Sequence, residues 1–452
     1  MVKSCEEKKS THLFLLVGNN PLPNFVAASM LSQNQGHIHL IYTESTLQYA
    51  LNLKNLFVDK LNCIPANINL IRLISPTDQF GIHQCLQDYI SHEVSLSTGS
   101  IGLNYTGGMK PMSVHVYEYL KDWCRQNHRD FIHSYLDPIH YSLRFSHSLN
   151  YSINYSECNI SMSDLVALHA KTITSIKSGP LFTGFCKELA SYAADPANMK
   201  MLREWCDQYV RPINSKDLNA YLEGYHSEGE YEHSTEFPNL ITLVDQMKRW
   251  VSSGSIGLES GNPLSDASDK GVAKEIAAIG QVGLALLDTK EIPDDEAHHW
   301  QSKSLADSII KFLDGLWLEN YVFSCLQEIT PDCSIHEIKK SMYIKNAYPE
   351  STSTGFEFDV AAIQGYRLYA FSCSTSMNRS LVKGKLFEAF TRAMQMGGDE
   401  SRVALVSGYL QPDNLLEEIN ESWMASRNKI RIFGPKDFST LSACFKKWFD
   451  VT

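Results

Sequence analysis

The sequence of 452 residues lacks several patterns that would place it in a specialised class of protein. No apolar run reaches the roughly 18–20 residues that a membrane-spanning helix needs, so we expect no membrane span. None of the 11 cysteines forms a Cys-x-x-Cys pair, which argues against a zinc ribbon and a disulfide framework. The first residues include acidic side chains and only a strand-length apolar run, unlike a signal peptide. Together these features predict a cytoplasmic protein.

The familiar nucleotide-binding signatures are also missing. The spacing GxxxxGK[ST] of a phosphate-binding loop is absent, and so is GxGxxG with an acidic ribose partner. An ordinary dinucleotide-dependent enzyme is therefore disfavoured.

Acidic charge is concentrated in the middle of the chain. The formal net charge is −11, and residues 151–310 carry 23 acidic against 13 basic side chains. Residues 1–150 carry 11 of each sign. A long polyanion would be repelled by the middle block but not by either end.

Residues 1–150 alternate strand and helix patterns. Apolar runs at 11–18, 37–43, 67–74 and 100–106 predict strands, and helical patterns follow each of them. Short links between alternating elements predict a parallel, doubly wound α/β sheet. In such sheets ligands bind outside the carboxyl ends of the strands.

Polar and glycine-rich turns follow three of these strands, and we expect them to bind a ligand. The glycines of the third turn let main-chain amides approach an anion at a helix N-terminus, and Lys110 adds a positive charge. A rigid turn and a simple helix cap remain alternatives. The predicted ligand-binding residues are Asn19, Asn20, Pro21, Leu22, Pro23, Asn24, Thr43, Ser45, Thr46, Thr106, Gly107, Gly108, Met109 and Lys110.

The three turns GNNPLPN, LIYTEST and NYTGGMK resemble the strand-end signatures of the CARF domain, the CRISPR-associated Rossmann fold. The resemblance implies a homodimer that senses cyclic oligoadenylates made by type III CRISPR complexes. That family usually reads TGGTK, whereas Met109 stands here at the threonine position.

Residues 151–303 predict an acidic, mainly helical linker or insertion domain. Two clusters in it are most simply solvated surface, although each could hold a metal. They are Glu228, Glu230, Glu232 and His233, and Asp294, Asp295, Glu296, His298 and His299.

Residues 304–452 predict a helix, then strands, a helix and a further strand, again an α/β arrangement. The segments GLWLENYV, GFEFDV and KLFEAFTRAMQMGGDESRVALVSGY resemble the restriction-endonuclease-like PD-(D/E)xK domain that one CARF subfamily carries. Active members of that subfamily cut DNA or RNA when the cyclic nucleotide binds.

The nuclease motif is depleted in this sequence. Asp359 matches the first metal-binding acid, with Glu319 and Glu357 as auxiliary acids and Lys385 as a lysine shared with active relatives. Ser372 and Ser374 stand where the resemblance implies an acid and a lysine. A serine cannot supply the charge that Mg²⁺ or Mn²⁺ needs, so we expect at most weak metal binding at Asp359 and an inactive or weak nuclease.

Two features of the sequence could compensate for the missing acid and lysine. Lys383 or Lys385 could reach the site from the following helix, and Cys373 could act as a nucleophile. A buried, inert thiol is the simpler interpretation of Cys373.

The resemblance thus implies a sensor of cyclic oligoadenylate that needs no cofactor for sensing. The expected ring is tetra-adenylate, whose two-fold symmetry would match a dimer axis. Its output would be ligand-controlled binding of DNA, RNA or a partner, or sequestration of the signal. Two alternatives stay open. One is a ligand-activated nuclease with a rearranged Mg²⁺ or Mn²⁺ site, and the other is a metal-independent ring nuclease.

Overall fold

The computed structural model describes residues 5–93, 98–145, 151–154, 156–177, 179, 183–207, 211, 311–347, 355–422 and 429–450. These residues form two β-sheets with helices packed against them, which confirms the predicted α/β class. None of the helices in these ranges combines the length and apolarity that crossing a bilayer requires.

The first sheet has seven strands in the order β3-β2-β1-β4-β5-β6-β7. Its first five strands are parallel and the last two are antiparallel. The strands are β1 (Ser10–Leu16), β2 (Ser32–Thr43), β3 (Ile68–Leu73), β4 (Ile101–Asn104), β5 (Phe131–Asp137), β6 (Ser142–Phe145) and β7 (Tyr151–Ser152). The helices that connect the parallel strands are α1 (Leu22–Leu31), α2 (Leu47–Leu61), α3 (Gln79–His92) and α4 (Lys110–Gln126).

Both faces of this sheet are covered, as its apolar strands require. In β1, Leu13 and Leu15 point into the core shared with α1 and α2, whereas Phe14 and Leu16 pack with α3 and α4. The strand order reverses between β1 and β4, so the turns after these two strands flank a topological switch point.

The second sheet has six strands in the order β13-β12-β11-β10-β9-β8. Strands β8 to β11 are antiparallel, and β11 to β13 are parallel. The strands are β8 (Lys171–Lys177), β9 (Ile335–Asn346), β10 (Phe356–Gln364), β11 (Arg367–Ser374), β12 (Arg402–Ser407) and β13 (Ile430–Phe433). The helices are α5 (Met162–Leu168), α6 (Thr183–Ala193), α7 (Pro196–Trp205), α8 (Trp317–Ile329), α9 (Arg379–Gly397), α10 (Pro412–Ser422) and α11 (Leu441–Asp450).

The described residues of the middle block form helices α5, α6 and α7, and they also supply a strand to each sheet. Strand β7 extends the first sheet, and β8 forms the edge of the second by pairing with β9. Strand β8 is polar and lies largely in solvent, so it lacks the apolar alternation that reveals a strand in a sequence. The boundaries 151–303 stay a prediction, and the acidic clusters at 228–233 and 294–299 lie outside the described residues.

The two sheets are joined by packed side chains. The rings of Tyr141 and Tyr366 stack at 4.3 Å, and the guanidinium of Arg367 lies 4.7 Å from the centre of the Tyr141 ring. The Tyr366 main-chain N–H donates to the Tyr141 hydroxyl at 3.1 Å. One continuous apolar core therefore contains residues of both sheets.

Candidate functional site

The turns after β1 and β4 meet main chain to main chain at the carboxyl edge of the first sheet. A Cβ placed on Gly18 would lie 2.8 Å from the nitrogen of Gly108, and one on Gly107 would lie 2.0 Å from the carbonyl oxygen of Leu16. Gly108 has a φ of +76°, a backbone conformation that favours glycine. The double glycine of the TGGMK turn is therefore required by the close approach of two loops.

A cavity of about 1200 Å³ opens beside the TGGMK turn. Three of the predicted ligand-binding residues line it, namely Thr106, Gly108 and Lys110. Lys110 begins α4, and its side chain is exposed. The sequence did not single out the cavity's other lining residues, which are Gln79, His83, Tyr105, Ser113, Val114, Tyr117, Glu118, Lys121, Asp122 and His133.

The turn after β1 combines accessible and buried residues. Asn19 is exposed and Asn20 is half-buried, whereas the side chains of residues 21–24 are buried. The Asn24 amide donates to the Leu16 carbonyl at 2.9 Å, and the Asn20 Oδ1 accepts from the Leu22 N–H at 3.1 Å. The buried residues fix the shape of the turn, which leaves the amides of Asn19 and Asn20 as the accessible polar groups.

Hydroxyl groups of the other predicted residues stabilise their own turns. Thr43 Oγ1 lies 2.9 Å from Ser45 Oγ and 3.3 Å from Thr46 Oγ1, in a capped turn after β2. Thr106 Oγ1 accepts the Leu136 N–H at 2.7 Å, which ties the TGGMK turn to β5. Met109 is 52% exposed beside Lys110, so its side chain does not belong to the core.

The predicted nuclease-like residues come together in the second sheet. Glu319 from α8 and Glu357 and Asp359 from β10 lie close enough for their charges to interact. The Glu319 Oε2 also accepts from the Ser341 hydroxyl at 3.3 Å. Two half-buried carboxyl groups, Glu319 and Asp359, therefore share this site with the exposed Glu357.

Ser372 and Ser374 both lie on β11, the strand that pairs with β10. Ser372 Oγ is 3.4 Å from Asp359 Oδ2, so a hydroxyl donor replaces a carboxylate at the expected second acid. Asp359 also accepts the Cys373 main-chain N–H at 2.7 Å. Ser374 Oγ accepts the Ser376 N–H at 3.3 Å and brings no positive charge. Burial raises the pKa of the Cys373 thiol well above its usual value, which favours an inert cysteine.

Two lysines lie near the carboxylates, and one of them was not foreseen. Lys177 on β8 and Lys385 on α9 both lower the pKa of Glu319 and Glu357 through their charges. Lys385 Nζ donates to the Cys373 carbonyl at 3.2 Å. Lys383 instead pairs with Glu418 at 2.6 Å. No local pattern marks Lys177, because this lysine reaches the carboxylates only through the pairing of β8 with β9.

Burial, together with the carboxylates of Asp359 and Glu357, raises the pKa of Glu319 to about 8. Burial likewise raises the pKa of Asp359, which Lys385 and the Cys373 N–H partly offset. A carboxyl group that holds its proton more tightly when folded makes stability fall as the pH rises. For Glu319 this fall extends from its unfolded pKa near 4.5 to about pH 8.

We therefore expect Glu319→Gln to flatten the loss of thermal stability between pH 5 and pH 8. Melting temperatures measured across this range, with Glu417→Gln on an exposed face of α10 as control, provide the test. A pH dependence that is equally steep in the wild type and in Glu319→Gln would contradict the expectation.

The turn after β1 also contacts the segment that connects α9 to β12 in the second sheet. Gly398 has φ +62° and ψ −149°, and a Cβ placed there would lie 1.9 Å from Asn20 Nδ2. Gly398 follows α9, whose residue Lys385 lies near the carboxylates. An accessible amide of the predicted ligand turn therefore packs directly against the segment that ends α9.

We expect Gly398→Ala to destabilise the protein by about 2 kcal/mol, chiefly because alanine is strained at this φ and ψ. A double-mutant cycle with Asn20→Gly separates the backbone strain from the Asn20 contact, since only the contact is relieved by the second change. Urea unfolding measures both. Additive effects of the two substitutions would show that the contact carries no energy.

Two solved structures share this fold over almost the whole chain. Protein VC1899 from Vibrio cholerae aligns with a TM-score of 0.60 at 14% identity, over 97% of this chain and 98% of that chain. Can2 from Sulfobacillus thermosulfidooxidans, solved in complex with cyclic tetra-adenylate (cA4), aligns with a TM-score of 0.56 at 15% identity, over 97% of both chains. No family model and no curated protein matches the sequence. The likeness therefore shows that the chain has the α/β fold of these two proteins along nearly its full length.

Proposed function

We propose that this protein is a sensor of cyclic oligoadenylate in type III CRISPR antiviral defence, with cyclic tetra-adenylate as the preferred ring. The observation that carries the proposal is the TGGMK turn, which lies at the switch point of the sheet and presents Lys110 to a large open cavity. Phosphate groups suit this arrangement because a cation and a helix N-terminus attract the same charge. That Can2, which shares the fold, was solved with cyclic tetra-adenylate supports the same ligand class.

The sensor acts as a homodimer in this proposal, with one ring across the two-fold axis. A ring of four identical nucleotides has two-fold symmetry, so each half can meet the same residues of one protomer. Each protomer then contributes Lys110 to one ring. The cavity is open at the protein surface, as such sharing requires.

A thermal-shift assay tests ring binding. We expect cyclic tetra-adenylate to raise the melting temperature, because a ligand that binds only the folded state stabilises it. Cyclic tri- and hexa-adenylate should raise the melting temperature less, and the mononucleotide AMP serves as the control. An equal response to AMP would contradict recognition of a ring.

The output proposed for the second sheet is ligand-controlled binding of nucleic acid or a partner, with little or no metal-dependent cutting. The hydroxyl of Ser372 lies beside Asp359, where a second carboxylate would be needed to bind a metal ion. No cofactor is required for sensing. Mg²⁺ or Mn²⁺, if the site bound it, would be held at Asp359 with Glu319 and Glu357 nearby and would supply a polarised water.

A second candidate function, a nuclease with a rearranged site, is favoured by Lys177 and Lys385 beside the carboxylates. A third is slow cleavage of the ring in its own pocket without a metal.

We expect neither RNA nor DNA to be cut when the protein is incubated with cyclic tetra-adenylate and Mn²⁺. Cutting that disappears in both Asp359→Ala and Lys177→Ala would establish the rearranged nuclease, and ring turnover that resists EDTA would establish the third candidate.

A further inference from the structure

A group of two histidines and one glutamate lies on α3 and α4. His83 belongs to α3, and His115 and Glu118 lie three residues apart on α4, which places them on one face of that helix. One nitrogen of each ring and one oxygen of the carboxylate all lie within 4.8 Å of one another. Among the residues that the structure describes, this is the one group of three His, Cys, Asp or Glu side chains whose ligand atoms lie so close together.

Two of the three donor atoms have the spacing of ligands to one ion. His115 Nδ1 is buried and makes no hydrogen bond, and Glu118 Oε2 lies 3.5 Å from it. Two ligands of one tetrahedral ion with bonds of about 2.0–2.1 Å are roughly 3.4 Å apart. The observed separation of Nδ1 and Oε2 therefore already suits a shared ion.

His83 has the kind of support that metal-binding histidines have. Its Nε2 lies 3.2 Å from the main-chain oxygen of His115, and a ring N–H there donates to that oxygen. A bond of this type fixes the tautomer and orientation of a ligating imidazole, and it leaves the other ring nitrogen with its lone pair. The carbonyl that supports His83 belongs to His115, so the main chain of α4 orients the His83 ring.

The group lies at the wall of the cavity that contains Lys110. His83 and Glu118 both line that cavity. Three protein ligands leave a tetrahedral ion with one position for water or a substrate oxygen. An ion held by these residues would therefore have an open position near the space proposed for the ring.

We propose that His83, His115 and Glu118 bind a divalent transition-metal ion of the Zn²⁺ class. Imidazole nitrogens suit Zn²⁺, Co²⁺ and Ni²⁺, whereas Mg²⁺ prefers an all-oxygen set. The ion would also link α3 to α4, two helices that pack side by side on the same face of the first sheet. This site is separate from the carboxylates of the second sheet.

The test is a titration of the full chain with Zn²⁺ or Co²⁺ after treatment with a chelator, followed by calorimetry and by the visible absorption of Co²⁺. Glu118→Gln and His115→Ala should each weaken this site about 100-fold or more, since each removes a ligand. His92→Ala is the matched control, because His92 lies on α3 outside the group. Glu118 is exposed, so Glu118→Gln should fold normally.

Saturation at one tight equivalent per chain, lost in His115→Ala and Glu118→Gln but kept in His92→Ala, is the expected result. Binding that survives in both ligand variants would overturn the proposal, because the metal would then be held by other residues. Absence of any tight Zn²⁺ or Co²⁺ binding in the wild type would overturn it as well. An affinity for Mg²⁺ equal to that for Zn²⁺ would contradict binding by the histidine nitrogens.

Discussion

Replacing Lys110 by alanine should lower the affinity for cyclic tetra-adenylate by about 100-fold or more. In the proposed dimer two Lys110 side chains meet one ring, and a hydrogen bond to a charged group contributes about 1.5–3 kcal/mol. Losing two such bonds therefore removes at least two orders of magnitude in affinity. Equilibrium binding of the labelled ring at fixed salt measures the change.

The matched control is Lys121→Ala, because Lys121 is exposed in the same cavity but lies three turns along α4. If the cavity attracts the ring only through its overall charge, both variants should weaken binding equally. If Lys110 contacts a phosphate, Lys110→Ala should lose far more affinity than Lys121→Ala. Equal losses would contradict a specific role for Lys110.

Replacing Gly107 by alanine should cost about 3 kcal/mol of stability, the largest effect on folding that we expect from a single methyl group. The new Cβ would lie 2.0 Å from the carbonyl oxygen of Leu16 and 3.2 Å from Asn24 Oδ1. Leu16 is fully buried at the end of β1, so its carbonyl cannot move without disturbing the centre of the sheet. Overpacking of this kind typically costs 1–3 kcal/mol and sometimes more.

Gly384→Ala is the control for this prediction. Gly384 lies inside α9, and a Cβ there would meet nothing within 4 Å. Because alanine favours a helix, this change should stabilise the protein by roughly 0.5–1 kcal/mol. Urea unfolding curves compare the three proteins, and a wild-type midpoint for Gly107→Ala would show that the two turns are not packed as described.

The alternation of strands and helices in the first block was readable in the sequence because it is local. Buried runs such as 11–18 and 100–106 have the apolar content of central strands. Strand β1 overlaps the first run, and β4 lies within the second. The turns were also readable, since glycine and asparagine mark positions that other residues tolerate poorly. Which turn residues face a cavity was not readable, and Leu22 and Asn24 are wholly buried.

Contacts between segments that are distant in the chain could not be predicted from the sequence. Lys177 reaches the carboxylates only because β8 pairs with β9, more than 150 residues later in the chain. His83 lies close to His115 only because α3 and α4 pack together. Asn20 packs against Gly398, although the two residues are far apart in the sequence. A polar edge strand and isolated histidines carry no local pattern from which such meetings could be inferred.

In the proposed sensor, two protomers bind one cyclic tetra-adenylate ring. Calorimetric titration of the full chain with cyclic tri-, tetra- and hexa-adenylate measures both ring preference and stoichiometry. We predict tight binding of the tetra-adenylate ring alone, at one ring for every two chains. Binding of none of the three rings, or of one tetra-adenylate ring by every chain, would overturn the proposed shared sensor.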